Sequence, residues 1–566
     1  MTLRPPPPSD SLDIGEFSAR RWVVPSITLA IALLWFGTLD LRHLLRSDEG
    51  RYAEIAREML LSGDWVTIRY NGLKYFEKPP LHFWMTALAY EVFGVGEWQS
   101  RLWVAISGAL GLLATMLAAR RWYGPRVALL AGLVLLATPT WNIAAHFNSL
   151  DMGLSGALAV VLAAVLMAQH PEAEPAQRGR WMWLAWAAMG AAVLTKGPIG
   201  IVLPSLTLIV YTLWTRNFRL WRQLHIVSGA LLMLVLTAPW FWLVQQRNPE
   251  FLRFFFVHEH FERYTSSVHR RDAPAWYFVP QLALGFLPWT GLWPRIVTQA
   301  RRVHGTTDFQ PAAWLASWAL SIFVFFSLSG SKLPGYIVPM LPALAILAAL
   351  ALSELPARTW TRLLQGALVV GVAMVLASPL VGQLPSNTTP AAAYRAYAPW
   401  LVAAALVLVT GTLLALALER RRQQTASMVA YALSMFCATT VGLVGHEKLG
   451  RGMSGIDLVP PIRAVLSADT PIYGVRMLDH TLPFYLGRTL VMVAEPDELE
   501  FGTQQEPEKW VPTMAAFRGR WQSGPRALAV MSPDTYRELL AQAWPMSVVA
   551  QDARRVVVAN FPTTPP

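Results

Sequence analysis

The sequence predicts a polytopic α-helical membrane protein that carries a small α/β domain at its carboxyl end. The 566 residues are 54% hydrophobic and only 14% charged, with a mean hydropathy of +0.37. Apolar runs of about 18 residues or more recur along the chain, and in a bilayer such runs form spanning helices. Beyond about residue 446 the composition changes to mixed charge with short apolar stretches.

Charge and cysteine content narrow the classes of partner. A net charge of +12 would suit nucleic acid, but the basic residues cluster at the ends of apolar segments, where they set topology and meet anionic lipid headgroups. Cys437 is the single cysteine, so neither a disulfide within the chain nor a cysteine metal cluster can form. We therefore expect membrane lipids, and no nucleic acid, as partners.

The amino-terminal region and the apolar segments define the membrane part. Residues 1–21 contain four consecutive prolines and no apolar core, so we expect a short cytoplasmic tail before an uncleaved first span. We place the membrane domain at 22–445, with a first outer loop at 42–98. Apolar segments can be drawn at 22–41, 79–94, 99–119, 126–146, 150–168, 181–196, 199–215, 225–245, 276–294, 311–328, 335–352, 360–382, 397–418 and 426–445.

Basic clusters decide how many of these segments cross. They lie at 20–21, 120–126, 178–180, 216–222, 295–302, 358–362 and 420–422. The positive-inside rule places all of them in the cytoplasm, which requires the short segment 79–94 to lie in the outer interface. The sequence therefore predicts about thirteen spans, with the amino terminus inside and the carboxyl terminus outside.

The first outer loop is predicted to hold two helices that do not cross. Ser47 and Asp48 suit the start of the first helix as caps, and Pro79 and Pro80 suit the first turn of the second. Apolar and charged residues of the first helix fall on opposite faces, with Tyr52, Ile55, Ala56, Met59 and Leu60 against Arg51, Glu54, Arg57 and Glu58. This pattern predicts an amphipathic helix in the membrane interface.

The segment 446–566 is predicted to form a separate α/β domain on the outer face. At about 120 residues it is long enough to support its own core. The predicted strands are Pro471–Val475, Thr489–Val493, Ala527–Met531 and Arg555–Val558, and the predicted helix is Pro533–Gln542.

Unusual polar residues gather on one side of the predicted membrane domain. The outer ends of spans and the outer loops hold Asp48, Arg51, Glu77, Lys78, Asn148, Asp151, Lys196, His258, Glu259, His260, Glu262, Arg263 and Lys332. Ionisable residues near the bilayer are costly and mark sites or pathways. The pattern predicts a catalytic or binding cavity that opens to the outside.

In order along the chain, these motifs resemble those of polyprenyl-phosphate-dependent C-type glycosyltransferases. The motifs are Asp48–Tyr52, Glu77–Leu81, Asp151, Thr195–Pro198, His258–Arg263 and Ser331–Tyr336. The sequence is most similar to bacterial aminoarabinose transferases, with protein O-mannosyltransferases as more distant relatives. The resemblance implies transfer of 4-amino-4-deoxy-L-arabinose from undecaprenyl phosphate to lipid A, which confers polymyxin resistance, on the periplasmic face of the inner membrane.

The chemistry of that reaction gives roles to the candidate catalytic residues. A lipid phosphate leaves as an anion, so we expect Lys78 and Arg263 to stabilise it; headgroup anchoring is the alternative for each cation. Asp48 resembles the catalytic aspartate of the family. A lipid A phosphate is already ionised, so Asp48 is expected to orient substrate, pair with the sugar's amino group or tune the nearby cations rather than act as a base; a helix N-cap is the structural alternative. Asp151 is either a second acidic site residue or a helix cap.

The remaining candidates are substrate-binding residues and a metal pair. We expect Arg51, Tyr52, Lys196, Lys332 and Tyr336 to bind substrate; Lys196 and Lys332 could equally extend from helix ends to the interface. Glu77 and His258 suit zinc in ligand type, although two ligands are weak evidence and a hydrogen-bonded pair is the alternative.

Two other function classes fit the residue pattern less well than a transferase does. A flippase or lipid transporter would place ionisable residues along a route within its spans and often contains inverted repeats, whereas here they cluster on one face. A binding or sensor protein would not require this set of acids and bases. Among enzymes, the alternative is a related glycosyltransferase that uses another polyprenyl-linked sugar, or a protein or core-oligosaccharide acceptor.

Overall fold

The computed structural model describes residues 22–262, 273–302, 308–384, 386 and 388–563. The predicted cytoplasmic tail, 1–21, lies outside these residues. Among the described residues before 446, the regular elements are helices apart from a short hairpin, β1 (Arg69–Tyr70) and β2 (Leu73–Lys74). The α-helices are α1 (Val23–Gly37), α2 (Asp48–Ser62), α3 (Leu81–Phe93), α4 (Glu97–Ala137), α5 (Pro139–Ala145), α6 (Leu150–Ala168), α7 (Pro175–Lys196), α8 (Ile199–Thr215), α9 (Ile226–Arg247), α10 (Phe278–Gly285), α11 (Trp293–Ala300), α12 (Pro311–Leu328), α13 (Leu341–Ser353), α14 (Ala357–Ala377), α15 (Ala391–Arg420) and α16 (Gln424–Gly445).

Long apolar helices make this a multi-pass membrane protein. Within the described ranges, eight helices have the length and composition to cross a bilayer. One of them, α4, is interrupted at Gly124, whose φ of 84° breaks the helical run before Pro125, so its 41 residues form two helical parts. The predicted count of thirteen spans is not settled by these helices and stays a prediction.

The predicted span before α12 is not a continuous helix. Segment 276–294 is divided between a 3₁₀ turn at Ala275–Tyr277, helix α10, a second 3₁₀ turn at Thr290–Leu292 and the start of α11. Pro288 lies at the break, and proline supplies no backbone N–H to continue a helix. Apolarity alone predicted a single span because it carries no information about this break.

The predicted interfacial helix in the first outer loop exists as α2, but its charged face is buried. Arg51, Glu54 and Arg57 are all less than a tenth exposed. Arg57 donates two hydrogen bonds to Glu54, at 2.7 and 2.6 Å, and Glu58 accepts from the backbone of Gly72 at 2.9 Å. Burial, reinforced by the neighbouring Glu54 carboxylate, raises the pKa of Glu58 to about 8. The polar face of this helix therefore meets protein rather than water.

The carboxyl-terminal segment forms the predicted α/β domain around a five-stranded mixed sheet. Its strands, in the order β4-β3-β5-β7-β6, are β3 (Ile472–Val475), β4 (Val491–Val493), β5 (Leu528–Met531), β6 (Ser547–Gln551) and β7 (Val556–Ala559). Strands β4 and β5 run parallel to β3, and β7 runs antiparallel to β5 and β6. Its helices are α17 (Glu447–Ser454), α18 (Val459–Val465), α19 (Leu482–Leu486), α20 (Glu500–Gln505), α21 (Met514–Ser523) and α22 (Pro533–Ala541).

The four predicted strands and the predicted helix are confirmed, and one strand was missed. Strand β6 has a register shift between Val548 and Ala550 where it pairs with β7, and its outer residues are only partly buried. An edge strand of this kind lacks the continuous apolar run by which buried strands are found.

Contacts with the first outer loop place the carboxyl-terminal domain against the membrane part. The Tyr70 hydroxyl lies 2.9 Å from Nδ1 of His480, Asn71 donates to the Leu490 carbonyl at 2.7 Å, and Arg69 pairs with Glu506 at 2.9 Å. Gly50 of α2 packs so closely that a Cβ there would lie 2.3 Å from the His480 carbonyl oxygen. These contacts bring the 497–504 segment to the ends of the membrane helices from which the predicted first outer loop emerges.

Candidate active site

A cavity of about 940 Å³ lies between the membrane helices and the carboxyl-terminal domain. Its volume is near the upper end of the range for small-molecule sites. Nine of the eleven predicted site residues line it: Asp48, Arg51, Tyr52, Glu77, Lys78, Asp151, Lys196, His258 and Tyr336. The structure therefore brings together residues from α2, the loop before α3, the start of α6, the α7–α8 junction, the 253–262 helix and the segment after α12.

The other two predicted site residues are not among the described lining residues. Lys332 is one of them; its ammonium donates to the Ser329 carbonyl at 2.5 Å and is buried. Its neighbours Ser331 and Leu333 do line the cavity, and in an extended segment alternate side chains point in opposite directions. The structure thus gives the Lys332 ammonium a backbone partner, and the expectation that Lys332 binds substrate stays a prediction. Arg263 lies outside the described residues, so its role stays a prediction.

Asp48 is held by an ion pair on the cavity side of α2. Ser47 precedes the helix without a side-chain cap bond, and Asp48, the first helical residue, pairs with Arg51 one turn later. The same guanidinium pairs with Glu498 of the carboxyl-terminal domain and lies 3.5 Å from the Tyr75 hydroxyl. The i, i+3 spacing places Asp48 and Arg51 on one face of the helix, so the acid is oriented by its partner rather than by a capping bond.

Lys78 lies between two carboxylates. Its ammonium donates to Glu259 at 2.5 Å and to the Glu77 carbonyl at 3.0 Å, and the Glu77 carboxylate is 3.6 Å away. The Tyr75 hydroxyl donates to that carboxylate at 3.1 Å. The proline at position 79 follows at once and restricts the backbone that carries the lysine.

The opposite side of the cavity carries a second lysine and acid. Lys196, the last residue of α7, pairs with Asp151 in the first turn of α6 and lies 4.7 Å from the centre of the Tyr336 ring, a cation–π contact. Gly335 approaches Asp151 so closely that a Cβ would lie 2.3 Å from Oδ2. The two pairs, with Lys78 and Tyr336, form what we call the membrane wall: Asp48, Arg51, Lys78, Asp151, Lys196 and Tyr336.

A second side of the cavity comes from the carboxyl-terminal domain and was missed by sequence reasoning. This carboxyl-terminal wall consists of Asp497, Glu498, Glu500, Phe501 and Gln504. Burial, with the neighbouring carboxylates Glu77, Asp497 and Asp48, raises the pKa of Glu498 to about 7 against the opposing effect of Arg51. The acidic run at 497–500 has the composition of an ordinary solvent-exposed helix start. The sequence therefore gives no sign that these residues face a site.

The cavity combines a charged chamber with an apolar arm. Its described lining carries seven carboxylates against the three cations Arg51, Lys78 and Lys196. The apolar arm is lined by Leu150, Leu154, Ile199, Val202, Phe325, Phe326 and Leu333. Val202 is 39% exposed, so the arm reaches the side of the helical bundle. This arrangement suits a ligand with a charged head and a long apolar tail.

The candidate zinc pair has no further protein ligand in the described part of the chain. Glu77 and His258 both line the cavity, but no group of three His, Cys, Asp or Glu side chains there could hold a metal ion. Tetrahedral zinc sites in enzymes use three protein ligands. The zinc site stays an untested prediction.

Two family patterns match the sequence. The pattern described as "Aminoarabinose transferase C-terminal domain" matches residues 458–560, and the pattern described as "Dolichyl-phosphate-mannose-protein mannosyltransferase" matches residues 21–255. The first match covers most of the carboxyl-terminal domain. The second runs from the start of the first span through the residues that precede the 258–263 motif.

Solved structures and curated proteins give similar matches. The structure is similar to the crystal structure of ArnT from Cupriavidus metallidurans bound to undecaprenyl phosphate, with 53% identity, coverage of 96% of this chain and 98% of that chain, and a TM-score of 0.92. The undecaprenyl phosphate-alpha-4-amino-4-deoxy-L-arabinose arabinosyl transferase of Pseudomonas paraeruginosa is 37% identical over 339 residues, 59% of this chain. That match spans about 60% of the curated relative.

A more distant structure shares the fold alone. The apo oligosaccharyltransferase of Archaeoglobus fulgidus is 15% identical, with a TM-score of 0.50, and the match covers 91% of this chain and 70% of that chain. The helical arrangement of the membrane part therefore occurs in a protein of very different sequence.

Proposed function

The chain belongs to the aminoarabinose transferase family, and we propose that it transfers 4-amino-4-deoxy-L-arabinose from undecaprenyl phosphate to a phosphate of lipid A. We place the reaction on the periplasmic face of the bacterial inner membrane. The observation that carries the proposal is the single cavity in which a charged chamber meets an apolar arm. A polyprenyl-phosphate sugar has both of these chemical parts.

The apolar arm suits the donor's tail. Exposing a polyprenyl chain to water raises its free energy. An arm lined by Ile199, Val202 and Phe325 lets the chain stay in an apolar environment while its head reaches Lys78. The similar ArnT crystal structure contains undecaprenyl phosphate, which supports the same class of ligand here.

Transfer requires stabilisation of a leaving phosphate. An oxygen of the acceptor phosphate attacks the anomeric carbon, the bond from that carbon to the donor phosphate oxygen breaks, and its electron pair leaves with undecaprenyl phosphate. The Lys78 ammonium, held beside the reaction site by Glu259 and Glu77, stabilises the developing charge. The acceptor is already an anion, so the step needs no base, and Asp48 orients the sugar.

The excess of carboxylates suits a cationic sugar. The 4-amino group carries a positive charge at neutral pH, and the carboxyl-terminal wall offers Asp497, Glu498 and Glu500. Together with Asp151 these groups make the chamber favourable for a headgroup that holds one phosphate and one ammonium. A neutral hexose would bring no positive charge to these carboxylates.

The direct test uses the purified full chain with undecaprenyl-phosphate-linked aminoarabinose and lipid A. We expect lipid A to gain the mass of one aminoarabinose residue, and we expect undecaprenyl-phosphate-linked mannose to give no such product. Transfer of mannose but not aminoarabinose would replace the proposed donor. Movement of the intact donor across a vesicle without a transfer product would instead favour a lipid flippase.

One observation favours a second candidate. The mannosyltransferase pattern covers residues 21–255, which include Asp48, Lys78 and Asp151. A protein or core-oligosaccharide acceptor carries a hydroxyl rather than an ionised phosphate, and Asp48 would then have to remove its proton. Product formation with an acceptor peptide in place of lipid A would support this candidate.

Zinc at Glu77 and His258 is a separate part of the proposal. If bound, the ion would add positive charge beside Lys78. Incubation with a chelator followed by zinc addition tests it: loss of transfer that zinc restores would support the site, and transfer that continues after measured removal of zinc would overturn it.

A further inference from the structure

A fully buried ion pair lies outside the described cavity lining. Arg101, on helix α4, and Glu49, which follows Asp48 on α2, are both 0% exposed. Nε of the arginine donates to Oε1 of Glu49 at 2.7 Å, and Nη2 donates to Oε2 at 3.0 Å. A buried pair of this kind is costly to desolvate and is often no more stable than an apolar replacement. A contribution to the stability of the fold therefore does not by itself explain the presence of this pair.

The arginine fixes the chain that leads into α2. Besides its two bonds to Glu49, it donates to the carbonyls of Leu39 at 2.8 Å, Arg42 at 2.6 Å and His43 at 3.1 Å. A guanidinium has five N–H groups, and these five bonds use all of them. Arg101 therefore ties three carbonyls of the connection between α1 and α2 to helix α4.

The glutamate joins two segments that carry site acids. Its Oε1 also accepts from the backbone N–H of Asn148, and its Oε2 from that of Leu45, each at 3.0 Å. The Asn148 side chain returns a bond to the Glu49 carbonyl at 3.3 Å. Asn148 lies three residues before Asp151, and Glu49 is bonded covalently to Asp48. One carboxylate thus links the backbone of both acidic segments.

We propose that the Glu49–Arg101 pair is a positioning unit that fixes the separation of Asp48 and Asp151 in the cavity and thereby orients the donor's sugar. This inference rests on the proposed transferase function. Lys78 and the apolar arm, which hold the phosphate and the tail, have no bond to the pair in the described structure. Loss of the pair should therefore disturb the sugar while the rest of the donor still binds. We therefore expect loss of the pair to lower the turnover rate while the affinity for the donor stays nearly unchanged.

The test compares Glu49→Gln and Arg101→Lys with wild type in steady-state transfer. A reacting group displaced by about 1 Å loses on the order of a hundredfold in rate. We expect kcat to fall about tenfold to a hundredfold, with the donor KM within about threefold of wild type. Arg101→Lys leaves a cation beside Glu49, so it keeps the test available if Glu49→Gln does not fold.

Glu54→Gln is the matched control. Glu54 lies on the same helix, is equally buried and accepts two hydrogen bonds from Arg57, but in the described structure it has no hydrogen bond to Asn148 or to the α1–α2 connection. We expect it to lower the thermal midpoint as much as Glu49→Gln does while keeping kcat. If kcat is unchanged in both Glu49→Gln and Arg101→Lys, or falls equally in Glu54→Gln, the positioning role is overturned. If wild type itself gives no transfer, the proposed function fails first and the inference fails with it.

Discussion

The two walls of the cavity differ in how clearly the sequence marks their residues as functional. The charges of the membrane wall stand out because the chain around them is apolar and a charge near the bilayer is costly. The charges of the carboxyl-terminal wall lie in a water-soluble domain, where acidic residues at a helix start are ordinary. The comparison teaches that a charged residue indicates function only against a background that excludes charge. It also predicts that residues of the membrane wall act in the transfer step, whereas residues of the carboxyl-terminal wall select the donor sugar.

The largest expected effect comes from the membrane wall. Replacing Lys78 by Met removes the ammonium that faces the leaving phosphate. We expect transfer to fall roughly tenfold to a thousandfold, the scale for losing one transition-state contact, measured as kcat/KM with the purified chain.

Lys74→Met is the matched control for that variant. Lys74 lies in the same loop and also pairs with a glutamate, Glu250, at 2.7 Å, but it is not among the described lining residues. Near-normal transfer by both variants would remove Lys78 from the mechanism, and equal loss in both would indicate a general charge effect.

A steric change should test the same wall with a smaller effect. Gly335→Ala places a methyl group 2.3 Å from the present position of the Asp151 carboxylate, so either the turn or the Asp151–Lys196 pair must move. We expect transfer to fall on the order of thirtyfold. Gly366→Ala adds the same methyl group on α14 where nothing lies within 4 Å, and it should be neutral. Unchanged transfer by Gly335→Ala would show that the position of Asp151 is not critical.

The carboxyl-terminal wall should respond in selectivity. Glu498→Gln removes a carboxylate that pairs with Arg51 and faces the chamber. Losing one hydrogen bond to a charged group costs about 1.5 kcal/mol, or roughly tenfold, so we expect about a tenfold lower kcat/KM for the aminoarabinose donor. A donor whose 4-amino group is acetylated should lose less. Equal losses for both donors would contradict the assignment of selectivity to this wall.

The smallest effect concerns pH and stability. Glu498 has a pKa of about 7 in the folded chain against an ordinary value of 4.5, so the folded protein retains a proton that the unfolded chain releases. Its contribution to stability therefore falls as pH rises from about 4.5 to about 7 and is level above that. Between pH 5 and pH 8 the free energy of unfolding should drop more in wild type than in Glu498→Gln, by a difference on the order of 1 kcal/mol, measured by unfolding both proteins at each pH. Parallel curves for the two proteins would exclude this shift.

Sequence reasoning predicted correctly those features that a short stretch of residues determines by itself. Buried strands such as β3 and β5, and isolated charges such as Lys78 and Lys196, are visible in short windows. The burial of the charged face of α2 could not be predicted in this way, because the same amphipathic pattern suits a lipid surface and a protein surface. The direction of Lys332 depends on the course of one extended segment, and the place of Glu498 depends on how two domains dock. Neither is encoded in composition or spacing.

The most direct test is the position of the donor phosphate. A structure of this chain with undecaprenyl phosphate should place a phosphate oxygen about 2.8 Å from Nζ of Lys78, the length of a charge-assisted hydrogen bond. The tail should follow Ile199 and Val202. A phosphate bound beyond side-chain reach of both Lys78 and Arg263 would contradict the account.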